Sequence, residues 1–417
     1  MKTIIGKVTV MLVLCISLGF AQVGDEPRPT LTDQMADSLW VQDLDFFANE
    51  LAERHKNLFF KIPPEDFSRM VESLKNQIPS LDDYELAVSM MRILASIGDS
   101  HTMLGANLTS LFRKLPVLTE WYRDGLYVVK TATEHREMLG SRVLGIEGRP
   151  IEDVTTIIGM GIPHDNDSQL KTRGPHHLPI PQILAALGIA DSPDTVTFNL
   201  EDLGDVQVVP RAFNLEVNWI SVLDSIDCNL PLYLQNQDLY YWFSYEKDSR
   251  TIYVQYNSCR EMTAKPFASF TDELFSFVDS CPVEKFVLDI RSNNGGNSAI
   301  ARPLIEGLKQ RPTINKKGHL FVLIGRKTFS SVILNALQLK AETNVIFAGE
   351  PTGGKPNHYG EGRFFMLPNS RMTVQYSTKY FTHSSEDAPS VCPDINVDVS
   401  FYDFISCKDT VLEAVMD

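Results

Sequence analysis

Apolar residues recur in two rhythms along this chain, and the rhythm changes twice. At the start the spacing is helical. Phe46, Phe47, Leu51 and His55 share one face, Phe67, Met70, Val71 and Leu74 share another after Pro63-Pro64, and Leu86, Met90, Ile93, Leu94 and Ile97 share a third. The third helix has legible ends. Asp82 with Glu85 three residues on is a capping-box pattern, and Gly98 is a stop signal. The polar turn Asp99-Ser100-His101-Thr102 follows at once.

The middle of the chain reads as strands. Residues 126–129, 142–146, 195–200 and 206–209 are β-rich runs, with a turn at 147–150 and a short helix at 151–158, so a small β module is expected between about 116 and 211. The prolyl, histidine-dotted segment 163–193 is expected to be an inserted loop that covers a cleft. From residue 252 strands and helices alternate: strands 252–256, 286–290, 320–324 and 345–349 with helices 267–278, 298–308 and 331–341. That rhythm predicts a layered α/β core with mostly parallel neighbours. Residues 364–367 and 372–376 form a hairpin around Pro368-Asn369-Ser370-Arg371.

Lys2 and Lys7 precede an apolar run closed by small residues, which predicts a signal peptide over 1–21, cleaved after Ala21, and hence an exported protein. The run is too short and too soon followed by Asp25 and Glu26 for a membrane span, and no later stretch is apolar enough. The rest exceeds one ordinary core; the expected units are a helical region (22–112), the β module (113–211) and an α/β catalytic domain (212–417). A net charge of −15 argues against nucleic acid as partner. Cys228, Cys259, Cys281, Cys392 and Cys407 are widely spaced and leave room for one or two bridges, without a CxxC pair for structural zinc. Two glycosylation sequons start at Asn107 and Asn166.

The chemistry concentrates where strands hand over to helices. Asp289-Ile290-Arg291-Ser292-Asn293-Asn294-Gly295-Gly296 follows an apolar strand, and its paired glycines let backbone N–H groups approach a ligand. Asp289 and Arg291, with Asn293, are expected to hold the turn. Ser330-Ser331 stands between a strand and a helix, exposed to the favourable end of the helix dipole. Ser330 is a candidate nucleophile, with the N–H of Ser331 and that of Gly295 or Gly296 as oxyanion donors; the plainer alternative is a helix N-cap. A serine nucleophile needs a base. His101 and Lys355 both qualify, and the residues alone leave that choice open. His176-His177 lacks carboxylate company, so no metal or cofactor is expected; His358 reads as a loop histidine.

As a set, Gly98-Asp99-Ser100-His101-Thr102, the Asp289–Gly296 turn, Thr328-Phe329-Ser330 and Gly349-Glu350-Pro351-Thr352-Gly353-Gly354 resemble the S41 peptidases: the C-terminal-processing or tail-specific proteases and their tricorn-like relatives. The resemblance spans the chain from about residue 40 to the end. It implies a crotonase-like layered α/β catalytic core, a helical N-terminal region and a PDZ-like β module that takes peptide by strand addition. It implies a serine endopeptidase acting on a peptide or protein through an acyl-enzyme on Ser330. In the tail-specific branch a lysine matching Lys355, 25 positions after Ser330, is the base. In the tricorn-like branch a histidine matching His101 is the base, oriented by a serine like Ser100. Ser100 beside His101 and Pro356 beside Lys355 favour the second pattern. Ile333 stands where many members carry glutamate, and the β module lacks a glycine-rich carboxylate loop. The rival reading is an inactive binder of peptides or apolar ligands on the same scaffold.

Overall fold

The computed structural model describes residues 35–105, 112–212 and 215–416. The expected signal peptide and the sequon at Asn107 lie outside these residues. Among the described residues no helix is long and apolar enough to cross a membrane.

The fold is mixed α/β with several sheets. Its central sheet runs, in spatial order, Ile395–Asn396, Ile346–Gly349, Leu320–Ile324, Lys285–Asp289, Thr251–Tyr256 and Tyr241–Glu246. All neighbours are parallel except the last pair. Ile252, Val254, Phe286, Leu288, Leu320 and Val322 face one layer with helices Phe267–Ser280, Arg302–Lys309 and Ser331–Glu342. The other face, with Tyr253, Val287, Phe321 and Leu323, packs on the terminal helix Thr410–Met416. Burial on both faces explains why these strands read as continuous apolar runs. The edge strand Tyr241–Glu246 escaped the sequence reading because its residues are mostly half-exposed.

The β module closes on itself: Lys114 and Arg211 exchange backbone hydrogen bonds of 2.8 Å. Its strands Val117–Tyr122, Gly125–Ala132, Arg142–Ile146, Val196–Leu200 and Gly204–Val208 form one antiparallel path around helix Ile151–Gly159. The expected inserted loop is instead two helices, Asp167–His177 and Pro181–Ala186. Asn166 caps the first by accepting from Gln169 N at 2.9 Å, and Pro181 opens the second. Pro175 inside the first helix, and packing that is not confined to one stripe, hid the helical period.

The N-terminal helices Asp37–Arg54, Pro64–Gln77 and Asp83–Ile97 share a core with the hairpin His358–Met366 and Thr373–Phe381, through Phe365, Leu367, Met372, Val374 and Tyr376. Fully buried Asp43 fastens the hairpin turn, accepting from Asn369 N (2.9 Å) and Ser370 N (2.8 Å). Cys228 and Cys407 form a disulfide.

Candidate active site

The turn that ends the third helix is set by local chemistry. The capping box forms, with Glu85 N donating to Asp82 Oδ1 (2.8 Å) and Asp82 N to Glu85 Oε2 (2.9 Å). At the other end Gly98 adopts φ 76°, the left-handed C-cap that releases the chain into Asp99-Ser100-His101. Asp99 is nearly fully buried and its oxygens are engaged: Oδ1 accepts from His101 N (2.9 Å), and Oδ2 lies 3.0 Å from His55 Nε2 and accepts from Thr102 Oγ1 (2.5 Å). His55 Nδ1 accepts from Asn57 N at 3.1 Å, so its proton sits on Nε2 and points at Asp99. Burial opposes the Asp99 charge, but His55, His101 and Thr102 together pull its pKa down to about 2.

The strands Lys285–Asp289 and Leu320–Ile324 are neighbours, so the loops at their C-terminal ends meet. Thr328 Oγ1 donates to Ile290 O (2.9 Å) and accepts from Gly325 N (3.0 Å); Phe329 N donates to Asn293 O (3.1 Å). Ser330 is thereby held at φ 60°, ψ −130°, a backbone conformation rare for a side-chain-bearing residue. It stands at the N-cap position yet makes no side-chain cap hydrogen bond. Its Oγ instead lies 3.1 Å from His101 Nε2, across 229 residues of sequence.

The His101 ring is held on several sides. Phe329 and His358 stack on it at centroid distances of 4.6 and 5.6 Å. Its carbonyl accepts from Gln375 Nε2 (2.7 Å), and its Nδ1 lies 3.4 Å from Ser100 Oγ. Burial pushes the His101 pKa down to about 3, with nearby His358 and Arg173 adding to the effect and Asp99 opposing it. The Lys355 ammonium has a different partner: its Nζ is bound to Asp387 Oδ1 at 2.9 Å.

The glycine turn packs against the nucleophile loop. A Cβ on Gly295 would lie 2.8 Å from both Ser330 Cβ and Ser331 N, so only glycine fits. The Gly295 N–H is already given to Asn293 Oδ1 at 2.8 Å. Of the two glycines, Gly296, at φ 135°, makes no hydrogen bond through its N–H among the described residues, and it stands beside Ser331 of the first helical turn. Ser331 Oγ donates to Gly296 O (2.6 Å), which ties the two together. Fully buried Asn293 also donates to Tyr256 O (2.9 Å). Asp289 accepts from Arg291 and from Tyr253 OH (2.6 Å), while Arg291 bridges to Asp409 at 2.8 and 2.7 Å.

Several residues at the site were missed by sequence reasoning. His55, Asp99 and Gln375 buttress His101 from three segments. Arg173, from the helix read as loop, donates to Ser100 O (2.9 Å) and lies over the Phe329 ring at 5.2 Å. His358 opens a strand rather than standing in a loop. Half-buried His177 meets the Arg173 carbonyl at 2.9 Å, and desolvation pushes it and His176 down to about 4. Among the described residues no group of three His, Cys, Asp or Glu side chains could hold a metal ion. Asn166 spends its amide nitrogen on Thr352 O, Pro389 O and Ser390 Oγ.

The fold is similar to that of S41-type peptidases. The chain is similar to mature CPAF complexed with lactacystin, at 14% identity over 91% of this chain and 98% of that one, with a TM-score of 0.62. It is also similar to mature CPAF alone, at 13% identity over 91% and 96% of the two chains, with a TM-score of 0.59. No family model and no curated sequence matches the chain.

Proposed function

We propose that this protein is an exported serine endopeptidase that cleaves peptide bonds through an acyl-enzyme on Ser330. The observation that carries the reading is the 3.1 Å approach of His101 Nε2 to Ser330 Oγ, beside uncommitted backbone N–H groups. Ser330 Oγ attacks the peptide carbonyl while His101 Nε2 takes its proton. The oxygen that becomes negative lies against the Gly296 and Ser331 N–H groups. His101 then gives the proton to the departing amine, and water repeats the sequence to release the acyl group from Ser330 Oγ. Ser100, Asp289, Arg291 and Asn293 hold this arrangement without touching the reacting atoms. The central sheet with its helices is the crotonase-like core of this reading. The β module is its PDZ-like part, tied to the nucleophile loop by Lys327–Glu120 (2.8 Å) and by Arg326 donating to Trp121 O (2.8 Å). Export follows from the leader pattern of residues 1–21, and the substrate is a peptide or unfolded protein.

The test is covalent labelling with a fluorophosphonate. The protein is expected to take up one equivalent on Ser330, and Ser330→Ala none. Absence of labelling in the unmutated protein at every pH would leave the scaffold as an inactive binder.

The pH dependence has a definite sign. A base must be neutral to accept a proton, and the His101 pKa is lowered to about 3 from the usual 6.5 by burial. The imidazole is therefore already neutral at mildly acidic pH. Labelling rates are expected to stay level from pH 8 down to about 5, where an ordinary histidine would have lost more than nine-tenths of its base form. A fall centred near 6.5 would contradict the buried geometry of His101.

A further inference from the structure

Resting on that reading, we propose that Phe381 and His383 form a subsite near the scissile bond that selects large apolar or aromatic side chains of the substrate. The two rings end a row that starts at the catalytic pair. Phe329 and His358 flank the His101 ring at 4.6 and 5.6 Å. The Phe381 ring lies 5.5 Å from His358, and the His383 ring lies 6.3 Å from Phe381, nearly parallel to it at 16°. The row emerges as it runs: His358 is buried, Phe381 half-buried and His383 exposed.

Strand geometry puts Phe381 on the catalytic side. Residues an even number of positions apart share one face of a strand. Gln375 and Phe381 therefore share a face of strand Thr373–Phe381, and Gln375 uses that face to donate to His101 O (2.7 Å). Across the hairpin His358 pairs with Phe381, and its ring also meets His101. Val374 and Tyr376, on the opposite face, join the helical core. Phe381 joins none of the buried apolar clusters among the described residues, so this large ring has no core to fill.

Both rings are held in place by the backbone around them. A Cβ on Gly360 would lie 3.2 Å from the Phe381 ring, so the glycine leaves that ring room against the neighbouring strand. Buried Asn357 fixes the chain just beyond: its Oδ1 accepts from His383 N (2.8 Å) and Ser384 N (3.0 Å), and its Nδ2 donates to Ser384 O (2.9 Å).

The occupant follows from the position and the chemistry. Two steps along the row put Phe381 no more than about 11 Å from the His101 ring, the span of some three extended residues. A peptide whose carbonyl is attacked by Ser330 can thus lay a nearby side chain on the row. Aromatic rings gain from burying apolar area and from edge-to-face contact, so a large apolar or aromatic side chain is favoured there over a small or charged one. The row is fixed relative to Ser330, so the preference falls on the same position in every cleaved sequence.

The experiment maps cleavage sites in casein by mass spectrometry with the full chain, each rate being expressed per Ser330 titrated with a fluorophosphonate. The unmutated protein is expected to cut sequences that carry Phe, Tyr, Trp or Leu at one fixed position within about three residues of the bond. Phe381→Ala is expected to lower kcat/KM at those sites by about tenfold relative to sites with Ala or Ser at that position. His383→Ala, at the exposed end of the row, is expected to lower the same ratio by about threefold. Each value is a ratio within one enzyme, so lost folded protein cancels. An unmutated protein that labels at Ser330 and cuts with no such position overturns the subsite and leaves the Ser330 reading intact. An unchanged ratio in Phe381→Ala does the same; should that variant not fold, an unchanged ratio in His383→Ala decides. An unmutated protein that fails to label at Ser330 overturns both readings.

Discussion

His101→Ala is expected to lose at least about 10,000-fold in the rate of Ser330 acylation, while Lys355→Ala stays within about tenfold of the unmutated protein. The asymmetry follows from where the two side chains lie. His101 Nε2 is 3.1 Å from Ser330 Oγ, within the range a general base needs even before substrate arrives. Lys355 Nζ is bound instead to Asp387 Oδ1 at 2.9 Å, with about a quarter of the side chain exposed. Removing the imidazole also takes a stacked partner from Phe329, which costs some stability. Such a loss lowers the folded fraction, not the rate per folded molecule, so rates are compared after titrating folded protein. The measurement is fluorophosphonate inactivation together with hydrolysis of an unstructured protein such as casein. Retained activity in His101→Ala, with activity lost in Lys355→Ala, would move the base to the lysine and reverse the assignment.

What could be seen in the sequence was what local rules decide. Asp82 and Glu85 announced the start of the third helix because a capping box needs only four consecutive residues. Gly98 announced its end, and so the position of His101. The strand-to-helix junctions at 289–296 and 324–331 were legible because strands buried on both faces leave unbroken apolar runs. The choice between His101 and Lys355 was not legible, since it turns on contacts between segments more than 200 residues apart. Gly295 and Gly296 looked equivalent until the Asn293 side chain was seen to take one N–H. Helix Asp167–His177 stayed hidden because strand Val117–Tyr122, helix Ile151–Gly159, the Thr352 loop and the Ser100 turn all meet it, which erases a one-sided stripe. Arg173 was lost with it. The hairpin's place beside the N-terminal helices was equally invisible, as Phe365 and Val374 carry no mark of which core they join.

Arg291→Leu is expected to destabilise the protein by about 3–5 kcal/mol, the usual cost of stranding buried charge. The guanidinium sits between Asp289, fully buried, and Asp409, almost so, and it lies over the Tyr233 ring at 4.6 Å. Leucine matches the apolar stem but leaves two carboxylates facing each other without a cation. Asp409 also caps the terminal helix by accepting from Leu412 N (3.0 Å), so the disturbance reaches the layer behind the sheet. On the other side the same loss loosens the turn that carries Asn293 and Gly296. Urea unfolding at pH 7 gives the size of the effect. The cause is checked by neutralising the stranded carboxylates as well: adding Asp289→Asn and Asp409→Asn to Arg291→Leu should recover part of the deficit. No recovery there would mean that Arg291 acts through packing alone. In the folded fraction that remains, Ser330 labelling should slow while the pH at which it falls off stays where His101 sets it, because Arg291 holds the turn and takes no part in the proton transfer.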